Sequence, residues 1–277
     1  MPLTPFQLRI SRLLAVNRSP DSHLAGASAL HLLPNTKRYS KDLDFFHDSE
    51  ERVAKAFADD RTALEGHGIP VLVQVAMPGY IRALAGQGEE RTKIEWAHDS
   101  AWRFMPPVSV ADAGFVLHPV DIAVNKILAL AGRDEPRDFL DVLYAHEEML
   151  PLPALVWAAV GKDPGFTPIS LLELIRRRGR CQPLDFERLN LASPVDPAGI
   201  KTKWLDALEA AESFARRRPP EEAGCLYYSP ARRAFLMPDK DAPEDLVVHF
   251  GRPEGVLPRL YTGDSLADLL RDSSRGA

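Results

Sequence analysis

Two aspartates stand one residue apart in Asp42-Leu43-Asp44, followed by Phe45 and Phe46. On an extended strand the period of two puts both carboxylates on one face and Leu43 on the other, buried with Phe45. Like charges held that close repel unless a cation lies between them. The pair therefore points to a hard divalent metal with oxygen ligands, magnesium first among them. A third acid, Glu95, falls in Thr92-Lys93-Ile94-Glu95-Trp96, which alternates like a strand. Beside Asp42 and Asp44 it would complete a three-carboxylate metal site; alone, it reads equally as an edge-strand charge pair with Lys93.

The acids need a scaffold. Upstream, His23 to Ala25 reads as a short strand running into Gly26, and Ser28 to Leu33 as a helix stopped by Pro34-Asn35. A glycine lets the backbone approach an oxyanion, the Ser28 hydroxyl adds a donor, and the helix start offers unpaired N–H groups. The plainer reading is that Gly26 and Ala27 only permit close packing of helix on strand. Further helices are predicted over Pro5 to Val16 and Glu50 to Gly66, and a strand over Ile69 to Val75, joined to the Glu95 strand by a Gly-punctuated polar connection. Residues 102–116 read as irregular or edge structure. Pro119 to Leu130 forms a helix stopping at Gly132, and a second opens at Pro136 and runs through Val142. There Arg137 and Asp141, four apart, are expected to pair on the surface. Helices over Pro153 to Ala159, Ile169 to Arg178 and Ile200 to Arg216 make the second half mainly α. Strands over Cys225 to Tyr228, Ala234 to Met237, Leu246 to Phe250 and Val256 to Leu260, and a short helix over Ser265 to Arg271, close the chain. The class is α+β, divided as a β-containing core over 1–117, a helical domain over 118–220 and a small β-rich appendage over 221–277.

Composition narrows the function. With 277 residues, 45% of them hydrophobic, the chain can bury a core; a net charge of -5 excludes a protein that coats nucleic acid through bulk charge. The basic clusters Arg176-Arg177-Arg178-Gly179-Arg180 and Arg216-Arg217-Arg218 read as solvated helix ends, since no aromatic residues are interleaved for base stacking. Cys181 and Cys225 show neither ligand spacing nor a disulfide framework, which fits a reducing cytosol. No signal peptide and no apolar run of about 20 residues is present, so a cytoplasmic monomer with no membrane contact is expected.

Leu24-Ala25-Gly26-Ala27-Ser28-Ala29-Leu30, then Arg38-Tyr39-Ser40-Lys41-Asp42-Leu43-Asp44-Phe45, resembles the opening of the AbiEii/AbiGii toxin group of nucleotidyltransferases, related to the DNA polymerase β-like fold. The typical members read Leu-Ala-Gly-Gly-Thr-Ala-Leu and Arg-x-Ser-x-Asp-x-Asp-Phe. Lys93-Ile94-Glu95 matches the acidic strand, Lys126-Ile127-Leu128-Ala129, Arg133 and Arg137-Asp138-Phe139-Leu140-Asp141 match the later series, and Lys201-Thr202-Lys203-Trp204-Leu205 matches a downstream element. Four motifs in one order over about two-thirds of the chain are far more specific than any alone. The departures are Ala27 for the second glycine and Ser28 for threonine.

The resemblance implies a small mixed-sheet nucleotidyltransferase core with flanking helices. It implies transfer of an NMP from an NTP to an acceptor hydroxyl, with RNA (a tRNA 3′ end) as acceptor and a cognate antitoxin as partner. Asp42, Asp44 and Glu95 would hold Mg2+, with Mn2+ as the alternative ion. Gly26, Ala27, Ser28, Arg38 and Ser40 would line the nucleotide, with Lys126, Arg133, Arg137 and Lys201 as its cations. Asp138 and Asp141 would orient those cations, and phosphate on Ser40 would silence the site. Two other readings stay open at this stage: a small-molecule nucleotidyltransferase of the aminoglycoside-modifying sort, and a catalytically idle binding module on the same fold.

Overall fold

The computed structural model describes residues 3–32, 36, 38–40, 42–192, 194–239 and 242–258. Helix α1 (Pro5–Leu14) opens on a capping box between Thr4 and Gln7 and buries Phe6, Ile10 and Leu14. Strand β1 (Ser22–Ala25) runs straight into α2 (Gly26–Leu30), and β2 (Asp42–His47) alternates as its sequence demands, with Leu43, Phe45 and His47 inward. Ser49 caps α3 (Glu50–Gly66). There follow β3 (Val71–Met77), β4 (Tyr80–Gln87), β5 (Glu90–His98), β6 (Trp102–Arg103), β7 (Val108–Val110) and β8 (Gly114–Val116).

Seven of these strands form one mixed sheet in the order β3-β4-β5-β2-β1-β8-β7. The β2–β5 pair is parallel and sets Asp44 beside Glu95 and Asp42 beside Lys93. Glu95 thus lies on an interior strand, with β4 on its other side, and the edge-strand reading of that charge pair does not hold. The expected polar connection after β3 is itself a strand, β4, whose Ile81, Ala83 and Ala85 face the core. Its small alanines and flanking glycines, weak β formers, hide the β pattern, and α3 packs over this strand. At Gly86, a Cβ would lie 2.7 Å from the Phe6 ring.

The helical half comprises α4 (Pro119–Gly132), α5 (Pro136–Glu148), α6 (Leu152–Lys162), α7 (Pro168–Arg178), α8 (Pro183–Glu187) and α9 (Pro197–Arg217). One buried cluster lies under the sheet around Leu43, Phe45, Ile94, Trp96 and Leu64, and another joins the helices around Ile127, Leu140, Leu155, Leu171 and Leu208. Strands β9 (Cys225–Ser229), β10 (Ala234–Phe235) and β11 (Val247–Phe250) make a small sheet, while β12 (Arg252–Pro253) pairs with β6. Residues 256–258 are irregular rather than the start of a strand, and the expected helix over 265–271 lies outside the described residues. The small sheet is tied back by His249 Nε2 against the Phe104 carbonyl at 2.9 Å and by the Gly224 N–H donating to the Trp157 carbonyl.

Burial of histidines in this scaffold has a consequence for acid stability. His23, His31 and His47 are buried, and burial pushes their pKa values down to about 4, about 4 and about 3, with nearby arginines adding to the effect. As pH falls through about 6.5 the unfolded chain takes up these protons and the folded chain does not. Stability present above that pH is therefore lost toward pH 4, at about 1.4 kcal/mol per pH unit for each histidine. Asp44 and Asp121, raised by burial to about 6, act in the opposite sense below pH 6, but His118, also pushed down by burial to about 4, adds to the other three histidines. The melting temperature is expected to be lower at about pH 5 than at about pH 7.5. His47→Leu should narrow that gap, because neither His47 ring nitrogen has a hydrogen-bond partner among the described residues; an unchanged gap would remove His47 from the account.

Candidate active site

Asp42 and Asp44 project from the exposed face of β2 into a cleft of about 540 Å3, with Glu95 and Lys93 from β5 and Arg82 from β4 beside them. The Lys93 ammonium lies 3.0 Å from Asp42 Oδ2 and 3.0 Å from Glu95 Oε1, and Arg82 Nε donates to Glu95 Oε1 at 2.9 Å. Asp44 differs: among the described residues its carboxylate has neither an ion pair nor a hydrogen bond, and only its backbone N–H is engaged, donating to Ser28. Burial pushes the Asp44 carboxyl up to about 6, Glu95 and Asp42 adding to the shift against Lys126 and Lys93. Burial alone would raise Glu95 too, but its hydrogen bond to Lys93 and the charges of Lys93 and Arg82 hold it below the usual carboxylate range. Among the described residues no three carboxylate, imidazole or thiol groups are gathered tightly enough to hold a metal ion; Lys93 stands between Asp42 and Glu95.

The turn from β1 to α2 packs directly on this face. Gly26 has φ +60°, and a Cβ there would lie 2.2 Å from Asp44 Oδ2, so the Asp44 carboxylate rests against a bare glycine. Ser28, expected to face phosphate, is buried instead; its hydroxyl donates to the Ala25 carbonyl at 3.0 Å and accepts the Asp44 N–H at 3.2 Å. It locks the turn to β2. Ala27 lines the cleft, and its φ is not positive, so the backbone does not require a second glycine here. Gly26→Ala is accordingly expected to destabilise the protein by about 1–3 kcal/mol and to displace Asp44, whereas Ala27→Gly costs about 1 kcal/mol or less. Thermal melts of the two variants would decide this, equal losses counting against it.

The opposite wall comes from α4 and α5. Lys126 is 5% exposed, with its ammonium 2.8 Å from Asp141 Oδ2 and 3.3 Å from Asp138 Oδ1. Arg38 grips Asp141 through Nε and Nη2 at 2.8 and 2.6 Å, and Arg133 grips Asp138 at 2.6 and 3.1 Å. A continuous chain of charges therefore runs Arg38–Asp141–Lys126–Asp138–Arg133. Burial alone would raise Asp141, but Lys126 and Arg38 hold it far below the usual carboxylate range. The expected surface pair of Arg137 with Asp141 is not formed: Asp141 points inward, and Arg137 Nη1 instead lies 3.6 Å from Asp42 Oδ2. Ser40 is buried, its hydroxyl donating to the Asp42 carbonyl at 2.8 Å.

Ser28, Asp138 and Asp141 stand behind the cleft wall rather than lining it, and Lys201 lies apart from the site. It lines a separate groove of about 730 Å3 with Phe139, Arg176, Arg180 and Trp204. Arg82 and Asn125 line the cleft without having been singled out in the sequence. The signal for Arg82 was hidden with β4.

A family model, that of the nucleotidyl transferase AbiEii toxin of type IV toxin–antitoxin systems, matches residues 11–217. The chain belongs to the AbiEii family. Its match ends before the small C-terminal sheet. The fold of this AbiEii chain is similar to MenT4, a nucleotidyltransferase toxin from Mycobacterium tuberculosis H37Rv, with a TM-score of 0.53 and 16% identity over 77% of this chain and 82% of that one. Two Helicobacter pylori structures match less well, both with a TM-score of 0.43. A putative nucleotidyltransferase is 17% identical over 76% of this chain and 92% of that one, and JHP933 is 15% identical over 76% and 90%. No curated protein matches. No described helix is long and apolar enough to cross a membrane.

Proposed function

We propose that this AbiEii-family chain transfers an NMP from an NTP to an acceptor hydroxyl on RNA, at a tRNA 3′ end, as the cytoplasmic, monomeric toxin of a toxin–antitoxin pair. The observation that carries the reading is the opposition, across one cleft, of three acids on β2 and β5 to Lys126, Arg133 and Arg137 on α4 and α5. Cations facing hard-oxygen acids suit a triphosphate held with a divalent ion.

The chemistry of the donor set suits Mg2+ or Mn2+, although the three acids are not gathered round a single point as they stand. Asp42, Asp44 and Glu95 offer only carboxylate oxygens, and Asp44 carries a charge that its surroundings do not balance, which a hard cation relieves. When bound, the ion supplies charge to the phosphates and Lewis acidity at the reacting phosphorus. The protein's own groups supply position. Lys126, braced by Asp138 and Asp141, presents a point charge to the triphosphate, and Arg133 and Arg137 present planar donors. Gly26, with no side chain, lets the Asp44 carboxylate lie against the turn and holds it at the cleft. The acceptor oxygen forms its bond to the α-phosphorus as the bond to pyrophosphate breaks. Its proton passes to a carboxylate oxygen of Glu95, which Arg82 at 2.9 Å keeps charge-balanced and ionised near neutral pH.

The test is incubation with each labelled NTP, Mg2+ and either total RNA or pooled small molecules. Label in tRNA-sized RNA, lost with chelator and with Asp42→Ala, is expected. Label confined to a small product would sink the RNA acceptor, and equal behaviour of Asp42→Ala and wild type would sink the enzyme.

A further inference from the structure

We infer that the Lys93 ammonium is the resident cation of the acidic cluster, a tethered placeholder that a divalent ion must displace and that then turns to the substrate's phosphates. This rests on the proposed reading of Asp42, Asp44 and Glu95 as ion ligands.

Four observations carry it. Lys93 shares a face with Glu95 on β5 and is the register partner of Asp42 on β2, so the sheet itself aims it between two of the three acids. Its nitrogen is equidistant from both, 3.0 Å from Asp42 Oδ2 and 3.0 Å from Glu95 Oε1, which is a bridging position rather than one pair with a bystander. Glu95 has a second cation, Arg82 at 2.9 Å, so its charge stays balanced when Lys93 leaves. Asp42 likewise has Arg137 Nη1 at 3.6 Å. Finally, the Lys93 side chain is 27% exposed at the cleft, and its four-carbon stem lets the ammonium move without any change in the strand.

An ion-binding site that carries its own cation binds a free divalent ion weakly, because the incoming charge meets a positive group already in place. The cost falls when a triphosphate arrives together with the ion, since the released ammonium gains a new anionic partner. Lys93 therefore couples ion binding to nucleotide binding, and by linkage the coupling runs both ways. A merely structural lysine would predict the opposite sign: its loss would disorder the acids and weaken ion binding.

The experiment is calorimetric titration of Mn2+ alone, without nucleotide, into wild-type protein, Lys93→Met and Lys93→Gln, with Lys93→Arg as the variant that keeps the charge. Both neutral variants should bind Mn2+ about tenfold more tightly than wild type, and Lys93→Arg should stay near wild type. In chelator the neutral variants should melt below wild type, and addition of Mn2+ should raise their melting temperature by more than it raises that of wild type. Equal or weaker Mn2+ binding by both neutral variants, with wild type still binding, would overturn the placeholder and leave the ion site standing. No Mn2+ binding by any of the proteins would overturn both the ion site and the placeholder.

Discussion

Asp44→Asn is expected to lower nucleotide transfer by about three orders of magnitude while leaving the protein at least as stable as wild type. The two halves of that expectation have one cause. Asp44 is the carboxylate that its surroundings do not balance: burial and the flanking Glu95 and Asp42 raise it to about 6, and among the described residues no cation pairs with it. At pH 7 its ionised form then opposes folding by roughly 2 kcal/mol, discounted for its partial exposure, and the neutral asparagine relieves this. Asparagine fills the same volume beside Gly26, so the turn should hold. The site loses the charge that attracts the ion. Labelled-nucleotide transfer and a thermal melt on the same preparation test both halves. A variant that retains activity, or one that loses activity only because it melts earlier, would count against Asp44 as an ion ligand.

Asp141→Ala has the largest expected effect on stability, about 3–5 kcal/mol. The carboxylate is 1% exposed and holds Lys126 at 2.8 Å and Arg38 through two bonds, while His31 Nε2 sits 3.9 Å away. Its removal leaves two buried cations facing each other, with Asp138 alone, among the described residues, left to share Lys126. For a chain of this size that loss corresponds to a fall in melting temperature of roughly 10 °C. Transfer should fail as well, since Lys126 loses the brace that aims it at the cleft. The control is Asp59→Ala, which breaks the exposed Lys55–Asp59 pair at 2.8 Å and should change stability by less than about 0.5 kcal/mol. A melt showing similar small losses for both would mean that the Arg38–Asp141–Lys126 chain holds nothing together.

The sequence by itself determined the parts that depend on neighbours along the chain. Alternation at Asp42-Leu43-Asp44 was enough to place two acids on one strand face, because a strand's side-chain period is two whatever it pairs with. The Pro119 and Pro136 helix starts, and the order of motifs that marks the AbiEii family, were equally legible. What it misread depended on partners far away in sequence. Strand β4 was hidden because its core face is mostly alanine, a weak strand former, and Gly86 stands near its end. Ser28 looked like a phosphate donor, yet its hydroxyl is spent between Ala25 and Asp44.

Only the tertiary structure decided how the charges pair. Helical spacing allowed Arg137 to reach Asp141, but α5 turns Asp141 toward Arg38 and Lys126, and Arg137 toward Asp42. Lys201, grouped with the nucleotide cations by its motif, stands on α9 in another groove. Lys93 became a bridge because the parallel register of β2 and β5 sets it opposite Asp42. Local periodicity dictates which face a side chain takes, whereas a buried charge must find its counter-charge in space, and that partner is chosen by strand register and helix packing.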